Sequence, residues 1–180
     1  MAILEILKYP DPRLSKVAQP VRNMNDATIQ LLNDMLETMY AAPGVGLAAN
    51  QVGALHRIIV LDVDHENPQK NIYKLVNPII VGAEGEMLWE EGCLSVVDFT
   101  AEVRRAARVA VVALDENEKE VNIEAEGLLA VALQHEIDHL DGKLFIDRIS
   151  RLKRDLYSRK RKKMLRTGST PSSESPRVMI

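Results

Sequence analysis

The stretch QHEIDHLDG at Gln134–Gly142 constrains this chain more than any other, because it sets His135 and His139 four residues apart with a carboxylate, Glu136, beside the first. Residues at i and i+4 share one face of an α-helix, so the two imidazoles stand one above the other. Leu128, Leu129, Val131 and Leu133 before the motif, with Ile137 and Leu140 inside it, predict a largely buried helix that ends near Gly142. Two neutral imidazoles on one face can hold a single divalent ion, while Glu136, about 100° around the helix, is off the ligand face and free to handle a proton. Ordinary helices also carry this short pattern by chance, so a third ligand matters.

A catalytic metal usually has three protein ligands and one open position. The other two histidines, His56 and His65, lie beside or just after the β-like run Arg57–Asp62, with no second ligand at regular spacing. The single cysteine, Cys93, sits in EEGCLS at Glu90–Ser95, directly after a glycine that lets the backbone turn and present the sulfur. A lone cysteine is most often a small buried hydrophobe. Here it is the only soft donor available to the histidine pair, and Cys/His/His is a recognised catalytic metal set.

Three stretches follow in order: GVGLAANQVG at Gly44–Gly53, EGCLS at Glu91–Ser95 and QHEIDHLDG, with YPDPRL at Tyr9–Leu14 ahead of them. Together they resemble the signature motifs of the peptide deformylases, which remove the formyl group from the N-terminal methionine of nascent bacterial and organellar proteins. The likeness runs from residue 3 to residue 155. One departure falls after EGCLS, where family members commonly carry a proline and this chain has Val96, Val97 and Asp98.

The resemblance implies a metal-dependent hydrolase acting on N-formylmethionyl nascent peptides, with Cys93, His135 and His139 as metal ligands. Glu136 would serve as general base and acid, and the Gln51 side chain and Leu94 N–H as donors to the oxyanion. It also implies one Fe²⁺ per chain, with Zn²⁺, Ni²⁺ or Co²⁺ able to substitute. An apolar pocket for methionine is expected from Leu128, Val131 and Ala132, three to seven residues before His135, with Val45, Gly46, Trp89 and Glu91 around them. Glu91 and Asp138 are also the nearest acids able to accept a hydrogen bond from a ligand imidazole, with Arg105 a partner for one of them.

Composition agrees with one enzyme domain. At 180 residues and 46% hydrophobic the chain can bury a real core, and one cysteine allows no disulfide framework. No apolar run reaches membrane-spanning length, and MAILEILKYP has no basic leader ahead of a long apolar stretch, so a cytoplasmic protein without membrane attachment is expected. The net charge of −3 hides an asymmetry: Arg148–Arg166 holds ten of the 23 Lys/Arg and one of the 26 acids, which leaves −12 on the rest. Such a segment is either a solvated helix or an attraction to nucleic acid, and the resemblance makes ribosomal RNA the target to consider. Ile149, Leu152, Leu156 and Leu165 give it one weakly apolar stripe.

Asn25 can cap a helix running to Ala41, and the glycine-rich stretch after it reads as a loop. Arg57–Asp62, Ile72–Val81, Val103–Arg105, Val109–Asp115 and Val121–Ala125 read as short strands. The expected fold is α+β, with mostly antiparallel short sheets packed around a central metal-binding HExxH helix and a C-terminal helix. Residues 1–149 would form the catalytic unit, 150–166 the basic helix and 167–180 a disordered tail rich in Ser, Thr and Pro. Two other readings stay open: a zinc endopeptidase, since HExxH serves that chemistry too, and a structural-metal or RNA-binding module.

Overall fold

The predicted N-cap is where the first helix begins: the Asn25 side chain accepts from the Thr28 amide at 2.9 Å and opens α1 (Asp26–Ala41). The computed structural model describes residues 2–64, 67 and 69–168, so His65 and the tail beyond Gly168 lie outside the described residues. After α1 come β1 (Gly46–Ala48), β2 (Ile58–Leu61), β3 (Tyr73–Glu84), β4 (Met87–Cys93), β5 (Val96–Arg105), β6 (Arg108–Leu114), β7 (Glu120–Glu126), α2 (Gly127–Leu140) and α3 (Arg151–Thr167). All strand pairs are antiparallel. Five strands form one sheet in the order β1-β2-β3-β6-β7, and β4 and β5 form a separate hairpin. This is the expected α+β class, with the HExxH helix at its centre.

Strand β2 shows why the sheet lies inside. All four of its residues are buried: Ile58 and Val60 join Leu32, Met35 and Met39 of α1, while Ile59 and Leu61 join Leu133, Ile137 and Leu140 of α2. A strand covered on both faces loses its polar alternation, which is why IIVL reads as one apolar run. From Ala130 to Leu140 every α2 residue except Gln134 is buried, including all four ionisable ones.

Three sequence expectations change in detail. The glycine-rich loop contains β1, which pairs Gly46 with Leu61, followed by a 3₁₀ turn over Ala49–Val52. Strand β4 was not expected, and β5 extends well upstream of Val103; Glu91 lies within β4 and is fully buried because Arg105 of the same hairpin neutralises it. The third concerns α3, whose leucines Leu152, Leu156 and Leu165 are all more than half exposed. The helix docks through other residues. Tyr157 stacks on Phe99 with ring centroids 4.7 Å apart and donates to the Val97 carbonyl, and Arg161 Nε donates to the Tyr9 carbonyl at 3.1 Å.

Helix α2 closes on Gly142, which adopts φ +71 immediately after the C-cap Asp141. A Cβ at this position would lie 2.6 Å from the Ser15 carbonyl oxygen, a backbone atom that cannot step aside. Gly142→Ala therefore combines left-handed strain of about 1–2 kcal/mol with a backbone clash. The expected result is a urea midpoint lowered by the equivalent of about 2 kcal/mol or more at unchanged m-value.

Candidate metal centre

Helix α2 and the β4–β5 hairpin supply the candidate centre from opposite sides. His135 and His139 project from one face of the helix, with imidazole centroids 4.9 Å apart. Cys93 is the last residue of β4, and its pairing with Val96 makes Leu94 and Ser95 the hairpin turn. His139 Nε2 lies 3.2 Å from Cys93 Sγ and 3.2 Å from His135 Nε2. Each of the three residues offers one donor atom, and these atoms lie within 4.8 Å of one another with all three residues buried.

That donor set fits a divalent cation. His135 Nδ1 bonds to Glu91 Oε2 at 2.8 Å, which leaves Nε2 as the nitrogen directed at the other two donors. Burial, reinforced by the neighbouring His135, holds His139 well below the usual histidine range, so its ring is neutral at physiological pH. Burial pushes the Cys93 thiol up to about 12, with a smaller push from Glu136, against hydrogen bonds from the Ser95 and Val96 amides. One proton can bridge only one of the contacts among these three atoms. A cation satisfies all three together and offsets the cost of the thiolate.

Glu136 is fully buried beside this cluster, and neither carboxylate oxygen has a hydrogen-bond partner among the described residues. Burial, with the charge of Glu91 second, raises its proton affinity well above that of an ordinary carboxylate. Gly46 makes room for it. A Cβ there would lie 2.5 Å from Glu136 Oε1, so Gly46 backs the carboxylate. Gln51 is equally buried: its Oε1 accepts from the Ala48 amide at 2.8 Å, and this turns Nε2 towards Cys93 Sγ at 3.6 Å and Ser95 Oγ at 3.2 Å.

Glu91 has both oxygens engaged. Arg105 forks onto it through Nε at 2.6 Å and Nη2 at 2.9 Å, and His135 takes the remaining bond. Burial opposes its charge, but the Arg105 and His135 hydrogen bonds outweigh that cost and keep it below the ordinary carboxylate range. Glu91 therefore orients His135. Asp138 does not touch either ligand ring; it binds Arg105 Nη1 at 2.5 Å and Arg148.

Among the expected pocket residues, Val45, Val131 and Ala132 are buried in the α2 cluster, and Trp89 and Leu128 border it, partly exposed. His56 stands apart. It is exposed and lines a cleft of about 510 Å³ with Pro20, Arg22 and Asn25, to which none of the cluster residues contributes. Two contacts had no sequence signal: Lys8 Nζ donates to the Leu94 carbonyl at 2.5 Å across the hairpin turn, and Arg148 reaches Asp138 from beyond the end of α2.

The polypeptide deformylase family model matches residues 3–155. A peptide deformylase of Syntrophobacter fumaroxidans is 52% identical over 166 residues, covering 92% of this chain and 98% of that protein. One from Thermodesulfovibrio yellowstonii is 54% identical over 160 residues, 89% of this chain and 97% of the relative. Among solved structures, a peptide deformylase from Legionella pneumophila superposes with a TM-score of 0.87 at 48% identity, over 94% of this chain and all of that one. A peptide deformylase from Ehrlichia chaffeensis in complex with actinonin gives 0.86 at 42% identity, over 92% and 99% of the two chains.

Two outcomes test the centre. Cys93→Ala should abolish tight binding of one divalent ion per chain, measured by metal analysis after dialysis. In the native protein the thiol stays protonated through pH 7–9 until a cation displaces its proton, so affinity should rise as pH rises, at least tenfold per unit across that window. Chelator competition across that range checks it, and a flat profile would exclude Cys93 as donor.

Proposed function

The chain belongs to the peptide deformylase family of hydrolases, and from that premise we propose that it removes the formyl group from N-formylmethionyl nascent peptides at the Cys93–His135–His139 cluster, releasing formate. One observation carries this reading: a fully buried, unpartnered carboxylate, Glu136, stands beside three converging donor atoms. A divalent ion held by Cys93 Sγ and the two Nε2 atoms would supply Lewis acidity and lower the pKa of a water from about 15.7 towards neutrality. We assign Fe²⁺ as the resident ion, with Zn²⁺, Ni²⁺ or Co²⁺ able to take its place, since all accept thiolate and imidazole.

Glu136 takes the proton of the attacking water and returns it to the departing amine. Its raised proton affinity suits both steps, because a base that must later act as an acid works best with a pKa near the operating pH. Gln51 Nε2, fixed by the bond from Ala48 to its Oε1, donates to the oxygen of the formyl group as charge develops there, and the Leu94 N–H in the hairpin turn is its companion. Lys8 steadies that turn by donating to the Leu94 carbonyl. Val45, Val131 and Ala132, bordered by Trp89 and Leu128, provide the apolar wall for the methionine side chain.

The substrate is met in the cytoplasm on chains leaving the ribosome, and α3 is the docking element beyond the catalytic unit of residues 1–149. Its exposed bases Arg151, Lys153, Arg159, Lys160, Lys162, Lys163 and Arg166 form a cationic surface suited to ribosomal RNA. No helix among the described residues is long and apolar enough to cross a membrane.

Glu136→Ala should keep its metal and its melting temperature while formyl-peptide turnover falls by on the order of a hundredfold or more. Metal content and turnover measured on one preparation check this; a metal-loaded variant working near the native rate would remove Glu136 from the mechanism. Reversing the exposed bases of α3 to glutamate should weaken co-sedimentation with ribosomes in a salt-dependent way and spare hydrolysis of short formyl peptides. Equal co-sedimentation would eliminate α3 as the docking element.

A further inference from the structure

We propose that Arg148, at the root of the C-terminal helix, is a positioning residue for the ligand His135, acting through Asp138, Arg105 and Glu91. The chain of contacts is continuous. Arg148 Nε and Nη2 donate to Asp138 Oδ2 and Oδ1 at 2.5 and 2.6 Å, and Asp138 Oδ2 also accepts from Arg105 Nη1 at 2.5 Å. Arg105 then forks onto both oxygens of Glu91, and Glu91 Oε2 meets His135 Nδ1.

Charge balance gives the chain its direction. Glu91 and Arg105 have side chains at most 1% exposed and Asp138 is 8% exposed, whereas Arg148 is 41% exposed and forms the solvent end. The two carboxylates and two guanidinium groups sum to zero. Without Arg148, one guanidinium serves two buried carboxylates. Asp138 then has only Arg105 to satisfy it and draws that group away from Glu91, so the bond that fixes the ring and tautomer of His135 loosens. A residue outside the helix that carries the ligands thereby sets how firmly one of them is held.

This inference rests on the reading that Cys93, His135 and His139 hold a divalent cation, and its test separates the two. Co²⁺ affinity of the metal-stripped protein is measured by chelator competition, together with the visible spectrum of the Co²⁺ form. Arg148→Met should weaken Co²⁺ binding about tenfold, the lower end of the range for partners of metal ligands, and shift the ligand-field bands. Arg148→Lys, which keeps the charge but loses the fork, should recover part of the affinity. Arg154→Ala, which removes an equally exposed arginine from the Asp147 pair, should change neither. In an Asp138→Asn background, Arg148→Met should add no further loss.

A merely structural role would lower the melting temperature of Arg148→Met and leave Co²⁺ affinity and spectrum at native values, which would overturn the proposal. Additive losses in the double variant would also overturn it, since Arg148 would not then act through Asp138. Failure of the unaltered protein to bind Co²⁺ would overturn the cation reading itself.

Discussion

The buried guanidinium of Arg105 is the interaction on which the rest depends. Helix α2 brings His135, Glu136, Asp138 and His139 into the interior, and an isolated buried ion costs several kcal/mol even after relaxation. Arg105 neutralises one acid of the hairpin and one of the helix, Glu91 and Asp138, and so ties the two elements that carry the candidate ligands. Removing it would leave Glu91 buried without a guanidinium and Asp138 with Arg148 alone. An apolar replacement of the whole network would leave nothing to orient His135.

Glu136 has the opposite environment, two residues away. It is as deeply buried as Glu91, yet no guanidinium reaches it and both its oxygens lack partners among the described residues. Two carboxylates in one interior are thus driven apart in proton affinity, Glu91 downwards by its hydrogen bonds and Glu136 upwards by burial. Such divergence is the pattern expected where one carboxylate orients and the other exchanges a proton, the division proposed above. Gly46 protects the arrangement, because strand β1 passes so close that any side chain there would meet the Glu136 carboxylate.

The attachment of α3 follows a different logic. Few residues hold it, chiefly Tyr157 against Phe99 and Arg161 on the Tyr9 carbonyl, so most of its surface faces water. The leucines at 152, 156 and 165 show the limit of helical periodicity as a guide. Their spacing marks a stripe, but a helix lying at the edge of a domain can dock through one aromatic residue and the stem of an arginine.

The sequence by itself determined the donor set and the central helix. His135 and His139 share a face because of the 3.6-residue turn, the apolar residues around them require burial, and Cys93 is the only sulfur donor of the cysteine type. The antiparallel α+β class, the N-cap at Asn25 and the close of α2 at Gly142 are local in origin and equally legible. The tertiary structure alone decided strand β4, the choice of Glu91 over Asp138 as acceptor for His135, the close approach of Gly46 to Glu136, and the contacts of Lys8 and Arg148. Each depends on a partner far along the chain: Glu91 is tolerable inside a strand only because Arg105, fourteen residues later, neutralises it. Local pattern carries information about periodicity and burial, whereas the pairing of buried charges depends on which distant elements the fold sets side by side.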